Sequence, residues 1–259
     1  HTFNVTKKDI TFSGSRVYDG TTTVSSSDLV TNDTTSGETL AFSGSGTVSS
    51  ANVQNNQSIT LGSIAIADGS GGGLASNYNL TTGTFDISQK WVSVGGQKIY
   101  DATTTVSSSD LEVTGEVTGE SISITGTGSV TDKNVGSGKT INISGLSLSD
   151  GSHSASNYTI GTTSFAITRR NLSISGEKVY DGTGTVLASQ IDTVNTAGGE
   201  TLTISGEGSV SLPSVGTNKS ITLNTLGISD GTNGTIGLAS NYTLDSGSFD
   251  ITTKPITLS

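Results

Sequence analysis

Acidic residues at repeated positions are the most chemically suggestive feature of this chain. Asp19, Asp101 and Asp181 each follow a tyrosine, in RVYDGTTTV, KIYDATTTV and KVYDGTGTV. In this setting an aspartate can act as an acid or a calcium ligand. It can also accept hydrogen bonds from its own turn, because Asp readily bonds backbone N–H groups two residues on. We favour the turn interpretation and expect no metal at these positions.

A second acidic set precedes glycine in loops rich in Gly, Ser and Asn. Its members are Asp68, Asp150 and Asp230. Calcium takes about six to eight oxygen ligands, which such loops can supply. The loops match neither the EF-hand spacing nor the calcium-binding nonapeptide repeat. These three residues are therefore the candidate metal ligands, and calcium is the only cofactor that the sequence suggests.

Catalytic chemistry has little support in the sequence. His153, in DGSHSASNY, is the only internal histidine, and the matching loops of the other copies have none. In a chain so rich in serine, a Ser near a His and an Asp carries little information. We expect a protein that is not an enzyme and has no catalytic residues.

The tyrosines define a repeat. Tyr18, Tyr100 and Tyr180 head the three copies, at intervals of 82 and 80 residues. A second tyrosine closes each copy in LASNYNL, SASNYTI and LASNYTL, namely Tyr78, Tyr158 and Tyr242. Self-similarity at a fixed period predicts tandem copies of one domain. We expect buried rings whose hydroxyls bond backbone groups, as in the tyrosine corner of β-sandwiches.

Two smaller details of the repeat lead to expectations. Glu38, Glu120 and Glu200 each precede a strand, and an exposed turn explains them. Ala102 replaces the glycine of the first tyrosine motif. A residue with a Cβ at this position predicts a backbone that does not require a positive φ.

The elements that must position these residues are strands. Apolar residues alternate with polar ones, as in Ile10-Thr11-Phe12 and Phe85-Asp86-Ile87, and Gly, Asn and Asp separate the runs. One short helical turn per copy is possible at Ser25–Leu29, Ser107–Leu111 and Leu187–Ile191. The pattern predicts an all-β protein of three tandem small β-sandwich (Ig-like) domains with seven or eight strands each. The alternative is a β-grasp-like unit in which that turn is the helix.

The domain boundaries follow from the repeat. We expect residues 1–6 to be the last strand of a preceding repeat, 7–88, 89–168 and 169–253 to be repeats 1, 2 and 3, and 254–259 to open a further repeat. Strand alternation continues through both joints without the Gly/Ser-rich composition of a flexible linker. The sequence therefore predicts repeats stacked end to end as a stiff rod. Trp91 and Lys90 at one joint, and Arg169 and Arg170 at the other, are candidates to pack across.

Composition limits the partners. A net charge of −10 argues against nucleic acid and against an anionic membrane surface. No apolar run reaches the length of a transmembrane helix, so no direct membrane insertion is expected. The absence of cysteine does not choose a compartment. We expect a monomer whose partners are neighbouring repeats of the same chain.

These motifs resemble the YDG repeat domain of large bacterial surface adhesins, including filamentous-haemagglutinin-like proteins. The resemblance rests on K-x-YDG-T-T, on VGSGKTINISGLSLSDG from Val135 to Gly151 and on ASNYTL from Ala239 to Leu244. Arg16, Ala102 and Gly184 depart from the pattern. The resemblance implies an extracellular, cell-surface or secreted stalk that supports cell adhesion or biofilm formation.

An alternative function is that the repeats themselves bind glycan or a protein receptor. Glycan or matrix components could also be bound through other parts of a parent adhesin. Trp91 is the one aromatic candidate for a binding surface, and Asp9 and Asn171 occupy its position in the other copies.

Overall fold

The computed structural model describes residues 2–257, and this part of the chain is built of short strands without an α-helix. Repeat 1 contains β1 (Lys8–Val17), β2 (Thr23–Ser25), β3 (Leu29–Thr31), β4 (Leu40–Ser43), β5 (Ser45–Thr47), β6 (Gln54–Ser58), β7 (Ala65–Asp68) and β8 (Tyr78–Ser88). Repeat 2 contains β9 (Lys90–Ile99), β10 (Thr105–Ser107), β11 (Leu111–Thr114), β12 (Ile122–Ser129), β13 (Gly136–Lys139), β14 (Leu146–Asp150) and β15 (Tyr158–Thr168). Repeat 3 contains β16 (Arg170–Val179), β17 (Thr185–Leu187), β18 (Ile191–Val194), β19 (Leu202–Ser205), β20 (Glu207–Val210), β21 (Gly216–Thr222), β22 (Gly227–Asp230) and β23 (Tyr242–Thr252).

The only helical elements among the described residues are single 3₁₀ turns. Three lie where the sequence predicts a short turn, at Ser26–Asp28, Ser108–Asp110 and Ala188–Gln190. Three more precede the closing tyrosines, at Ala75–Asn77, Ala155–Asn157 and Ala239–Asn241, and one lies at Ala197–Gly199. A three-residue turn cannot supply the helix of a β-grasp, so the predicted sandwich-like fold is confirmed and the β-grasp alternative is wrong.

The sheets of the repeats share one plan. In repeat 1 the main sheet has the order β3-β1-β8-β6, and the pairs β2-β5 and β4-β7 form the remaining layer. Repeat 2 has the main order β11-β9-β15-β13, with β10-β12-β14 beside it. In repeat 3 a six-stranded sheet, β17-β20-β21-β23-β16-β18, joins the two layers, and β19-β22 stands apart.

The first and last strands of a repeat are parallel neighbours. In repeat 1 the register runs from Lys8 opposite Tyr78 to Val17 opposite Ser88. In repeat 3 β16 and β23 pair in the same way. Because the two strands run in one direction, the chain leaves a repeat at the end opposite to the one where it entered. We call these the exit end and the entry end.

By its internal contacts the chain divides into two compact units. Unit 1 comprises the chain up to Val94, Glu112–Thr125 and Ser147–Thr162, and unit 2 comprises Gly95–Leu111, Gly126–Leu146 and the chain from Thr163. The entry half of repeat 2 therefore belongs with repeat 1 and its exit half with repeat 3. One buried core in unit 1 accordingly combines Phe85 and Ile87 of repeat 1 with Val92, Ile122 and Tyr158 of repeat 2.

The connections between repeats are a single residue long. Only Gln89 separates β8 from β9, and only Arg169 separates β15 from β16. Residues 2–7 and 253–257 have no regular secondary structure. The assignment of residues 1–6 to a preceding repeat and of 254–259 to a further repeat stays a prediction, and His1, Leu258 and Ser259 lie outside the described residues. Within residues 2–257 no helix is long and apolar enough to cross a membrane.

Candidate functional site

The aspartate of the first tyrosine motif closes its own turn. Asp101 Oδ1 accepts hydrogen bonds from the backbone N–H and the hydroxyl of Thr103, both at 2.9 Å. Asp19 and Asp181 accept the same pair of bonds from the threonine two residues on. The bond from the Thr183 N–H, together with Lys178, lowers the pKa of Asp181 to about 2. This geometry is the turn that the sequence predicts.

The basic residue three positions before the aspartate completes the turn. Lys98 Nζ lies 2.8 Å from Asp101 and donates to the carbonyl of Thr105 at 2.6 Å. Lys178 pairs with Asp181 at 3.0 Å in the same way. Both lysine side chains are buried. A buried ammonium group needs hydrogen-bond acceptors, and the aspartate and the carbonyl oxygens of the turn supply them.

The prediction about Ala102 is wrong. Its φ is +65°, and the equivalent Gly20 and Gly182 have φ values of +79° and +83°. The left-handed conformation is thus a property of this position in every copy. Ala102 adopts it against the preference of residues with a Cβ, since neighbouring bonds of the turn hold the backbone in place.

The first tyrosine of a repeat lies at its exit end. The Tyr18 N–H donates to the carbonyl of Ser88, the last residue of β8, at 2.9 Å. From there the Tyr18 hydroxyl reaches repeat 2 and donates to Glu120 Oε1 at 2.8 Å. The hydroxyl of Tyr158, the closing tyrosine of repeat 2, donates to Glu120 Oε2 at 2.5 Å. One carboxylate therefore joins tyrosines of two successive repeats.

The surroundings of Glu120 fix this arrangement, which we call joint 1. The backbone N–H of Val117 donates to the Tyr158 hydroxyl at 3.1 Å. The rings of Tyr18 and Tyr158 meet edge to face, with centroids 5.5 Å apart. Aromatic pairs of this geometry add about 0.5–1.5 kcal/mol beyond the burial of their area. His153 lies beside the carboxylate, with Nε2 3.9 Å from Oε1.

Joint 2 repeats the geometry between repeats 2 and 3. The hydroxyls of Tyr100 and Tyr242 donate to the two oxygens of Glu200 at 2.7 and 2.8 Å. The two rings are again 5.5 Å apart and edge to face. Lys133 adds an ion pair with Glu200 at 2.7 Å. The corresponding residue at joint 1 is Ala51, so joint 2 alone carries this cation.

An asparagine reinforces each joint. Asn157, which precedes the closing tyrosine of repeat 2, accepts from the Val53 N–H and donates to Asn52, both at 2.9 Å. Asn241 makes the same two bonds to Val135 and Asn134, at 2.9 and 2.8 Å. Both asparagine side chains are buried, and each polar atom has a partner in the neighbouring repeat.

The joints change the pKa values of their tyrosines. Burial, followed by the hydrogen bond to Glu120 and its charge, raises the pKa of Tyr18 and of Tyr158 to about 12. The same causes, with Glu200 as the partner, raise the pKa of Tyr100 and of Tyr242. The hydroxyls therefore stay protonated as donors.

The carboxylate of joint 2 stays ionised. Burial by itself acts to raise the pKa of Glu200, but bonds from Lys133 and the two tyrosine hydroxyls outweigh it and lower this pKa. Charge-assisted hydrogen bonds of this kind are roughly twice as strong as neutral ones.

Two expectations about these residues are corrected. The recurring glutamates are not exposed turn residues, because Glu200 is buried and Glu38 and Glu120 are half-buried as acceptors for tyrosine. The buried tyrosine hydroxyls donate to carboxylates, and the backbone bonds that the sequence predicts are made at the closing tyrosines alone, whose hydroxyls accept from the N–H groups of Thr35, Val117 and Ala197. The recurrence of one glutamate per copy was the sequence signal that could have revealed this role.

Five of the six motif tyrosines are buried, and Tyr180 is the exception. Its side chain is 40% exposed, whereas Tyr18 and Tyr100 are 3% and 0% exposed. The Tyr180 N–H bonds the exit strand of repeat 3 as in the other copies. Its hydroxyl has no hydrogen-bond partner among the described residues. Within the described residues Tyr180 thus lacks the bond to a glutamate of another repeat that Tyr18 and Tyr100 make.

The calcium candidates serve the loops in which they lie. Asp68, Asp150 and Asp230 accept hydrogen bonds from the N–H of Ala75, Ala155 and Ala239 at 2.8, 2.7 and 2.8 Å. These bonds hold the 3₁₀ turn that precedes each closing tyrosine. In the described part of the chain, no three His, Cys, Asp or Glu residues form a group suited to a metal.

The residues expected to pack across the joints do not make the main contacts there. Trp91 is 74% exposed and sits over Gly161 of its own repeat. Arg169 and Arg170 donate to the carbonyls of Ser240 and Asn195, within repeat 3. Tyrosine, glutamate and asparagine side chains make the hydrogen bonds across the joints.

Fold and joints together define a tandem β-repeat protein in which a carboxylate links each repeat to the next. A family model of the YDG domain matches residues 3–85, 89–165 and 168–249. These ranges cover most of the chain and confirm three copies, so the chain belongs to the YDG domain family. No curated protein matches it.

Proposed function

We propose that this chain is a structural spacer of a bacterial extracellular adhesin. In this role the repeats hold a binding region away from the cell surface and support cell adhesion or biofilm formation. The observation that carries the proposal is the joint, where Glu120 or Glu200 receives a tyrosine from the preceding repeat. A spacer needs such contacts, because a stalk that bends freely at every domain does not keep its far end at a distance.

Local geometry supports the proposal in two further ways. The first and last strands of a repeat are parallel, so the chain enters and leaves at opposite ends. The connection between repeats is one residue, which leaves no room for a flexible linker. Resemblance to the YDG repeats of large adhesins agrees with both features.

Small-angle scattering tests the spacer. A compact domain of about 80 residues has a diameter of roughly 30 Å, so three in line should span about 90 Å or more. A compact 259-residue globule would instead have a radius of gyration of about 18 Å. A measured radius of gyration near that of the globule, or a broad distribution of interdomain angles, would refute a stiff spacer.

A matched pair of variants assigns stiffness to the joints. Glu120→Ala combined with Glu200→Ala removes both acceptors, whereas Trp91→Ala removes an exposed ring outside them. We expect the double variant to show a wider spread of maximum dimensions and Trp91→Ala to match the parent chain. An unchanged double variant would show that the carboxylates do not limit bending.

A second candidate function is glycan binding at Trp91. The exposed indole borders a cavity of about 660 Å³ that Val17, Gln89 and Thr159 also line. An exposed ring beside polar groups suits the apolar face of a sugar. A glycan array compares the parent chain with Trp91→Ala. Glycan signals that the parent chain gives and Trp91→Ala does not would favour this function. An array without any binding signal would favour the spacer function alone.

A further inference from the structure

Each joint brings two phenol groups onto one carboxylate. At joint 1 the hydroxyls of Tyr18 and Tyr158 donate to the two oxygens of Glu120 at 2.8 and 2.5 Å. Because both hydroxyls point at one carboxylate, the hydroxyl-bearing ends of the two rings converge. The ring centroids are 5.5 Å apart, within the range of about 4.5–7 Å that ring pairs in contact adopt. Joint 2 has the same arrangement around Glu200.

Two phenols in such contact can be joined by oxidation. A tyrosine that loses one electron and its hydroxyl proton becomes a phenoxyl radical, whose unpaired electron is shared with the ring carbons beside the oxygen. Two of these radicals form a carbon–carbon bond between those carbons. Each ring then transfers the hydrogen of its bonded carbon to its oxygen, which restores both hydroxyls. Two tyrosines thus lose two electrons and two protons in total, and a one-electron oxidant takes the electrons.

The carboxylate of the joint is the proton acceptor that this chemistry needs. Burial and the hydrogen bond to Glu120 raise the pKa of Tyr18 to about 12, so near neutral pH the hydroxyl must lose its proton together with the electron. Glu120 Oε1 already accepts that proton in a hydrogen bond. His153 Nε2 lies 3.9 Å from Oε1 and its side chain is 45% exposed, so the proton has a route to water.

We propose that the two tyrosines of each joint are a site of oxidative cross-linking by a one-electron oxidant. At joint 1 the new bond connects Tyr18 to Tyr158, and at joint 2 it connects Tyr100 to Tyr242. It replaces a hydrogen-bonded contact between successive repeats by a covalent one. The chain has no cysteine, so it cannot form this connection as a disulfide. The inference rests on the joint geometry and does not depend on the proposed spacer function.

Burial of the paired rings favours this product over others. Tyr18 and Tyr158 are 3% and 2% exposed, whereas Tyr180 is 40% exposed. An electron can leave a buried ring without contact between ring and oxidant, but coupling between two molecules requires exposed rings. If exposure decided the outcome, Tyr180 would react first. If contact between rings decides it, the two joints react within one chain.

The two joints should react at different rates. At joint 2 Lys133 Nζ donates to the same oxygen of Glu200 as the Tyr100 hydroxyl, at 2.7 Å. A cation bonded to this oxygen disfavours its protonation, which makes the carboxylate a weaker proton acceptor. Ala51 occupies the corresponding position at joint 1. The link at joint 1 should therefore form first, and Lys133→Ala should speed the link at joint 2.

Photo-oxidation of the dilute chain with tris(bipyridine)ruthenium and persulfate tests the proposal. Illumination produces ruthenium(III), the one-electron oxidant, and persulfate takes up the two electrons as two sulfates while two protons are released. Protease digestion and mass spectrometry then locate the links. We expect one linked peptide pair that contains Tyr18 and Tyr158 and another that contains Tyr100 and Tyr242. Each should be lighter than its two separate peptides by two hydrogen atoms, in chains that remain monomeric.

Matched variants assign the links to the joints. Tyr18→Phe should abolish the link at joint 1 and keep the link at joint 2, which also reports that the variant is folded. Tyr180→Phe should keep both links. Glu120→Gln keeps a hydrogen-bond acceptor but cannot take the proton, so the link at joint 1 should form about a hundredfold more slowly, the lower end of what a positioned proton acceptor contributes.

Three results would overturn the proposal. The first is oxidation at Tyr180 without a link at either joint. The second is a link from Tyr18 to a tyrosine other than Tyr158. The third is an equal yield of the same links when the chain is oxidised while unfolded in urea, because the folded contact would then be irrelevant. A link at joint 2 that forms before the link at joint 1 would refute the role given to Lys133.

Discussion

The hydroxyl of Tyr100 should contribute more to the free energy of unfolding than the hydroxyl of Tyr180, although both tyrosines belong to the same motif. Tyr100→Phe removes the donor that bonds Glu200 at 2.7 Å and keeps the buried ring. A hydrogen bond to a charged group contributes about 1.5–3 kcal/mol. Lys133 still bonds the same oxygen at 2.7 Å, so the lower end, about 1.5 kcal/mol, is expected.

Thermal unfolding in dilute solution measures this difference. For a chain of this size, a loss of about 1.5 kcal/mol lowers Tm by roughly 3–6 °C. Tyr180→Phe removes an exposed hydroxyl and should change the free energy of unfolding by less than about 0.5 kcal/mol. A double-mutant cycle of Tyr100→Phe with Glu200→Gln should give a coupling energy of about 0.5–3 kcal/mol. Equal effects of the two tyrosine variants, or no coupling, would refute the joint as a source of stability.

Three further predictions concern the same regions. Ala102→Gly should stabilise the chain by about 1–2 kcal/mol in urea unfolding, because it relieves a left-handed residue, and Gly182→Ala should cost a similar amount; the opposite signs would contradict the backbone argument. Lys133→Ala leaves Glu200 buried with fewer partners and should lower the free energy of unfolding by about 1–3 kcal/mol. This is less than for a fully buried ion pair, because the lysine is partly exposed. An unchanged free energy of unfolding would mean that the pair contributes nothing. The pKa of Tyr18 in the folded chain is raised to about 12, so its contribution to stability should be complete below the ordinary tyrosine pKa of about 10. This contribution should fall as the pH rises from about 10 through about 12. Absorbance titration of tyrosinate checks the prediction, and full ionisation near pH 10 without unfolding would contradict it.

The sequence predicted the repeat, the strand content and the aspartate turn because each depends on neighbours in the chain. Period-two alternation reports which face of a strand is buried whatever the strand packs against. The hydrogen bond from the Thr103 N–H to Asp101 spans two residues, so local turn chemistry was sufficient to predict it. The number of copies followed from the spacing of the tyrosines.

The partners of the tyrosines were decided by the tertiary structure alone. Tyr18 and Glu120 are 102 residues apart and belong to different repeats, and no local pattern predicts that they meet. They meet because parallel first and last strands place the first tyrosine at the exit end and the glutamate at the entry end. A recurring glutamate in a turn-like sequence looks exposed when one repeat is considered by itself, and its contact with a tyrosine of the preceding repeat is not visible in the local pattern. The backbone at Ala102 is a second case, since φ depends on the bonds around the turn and not on the residue that occupies it.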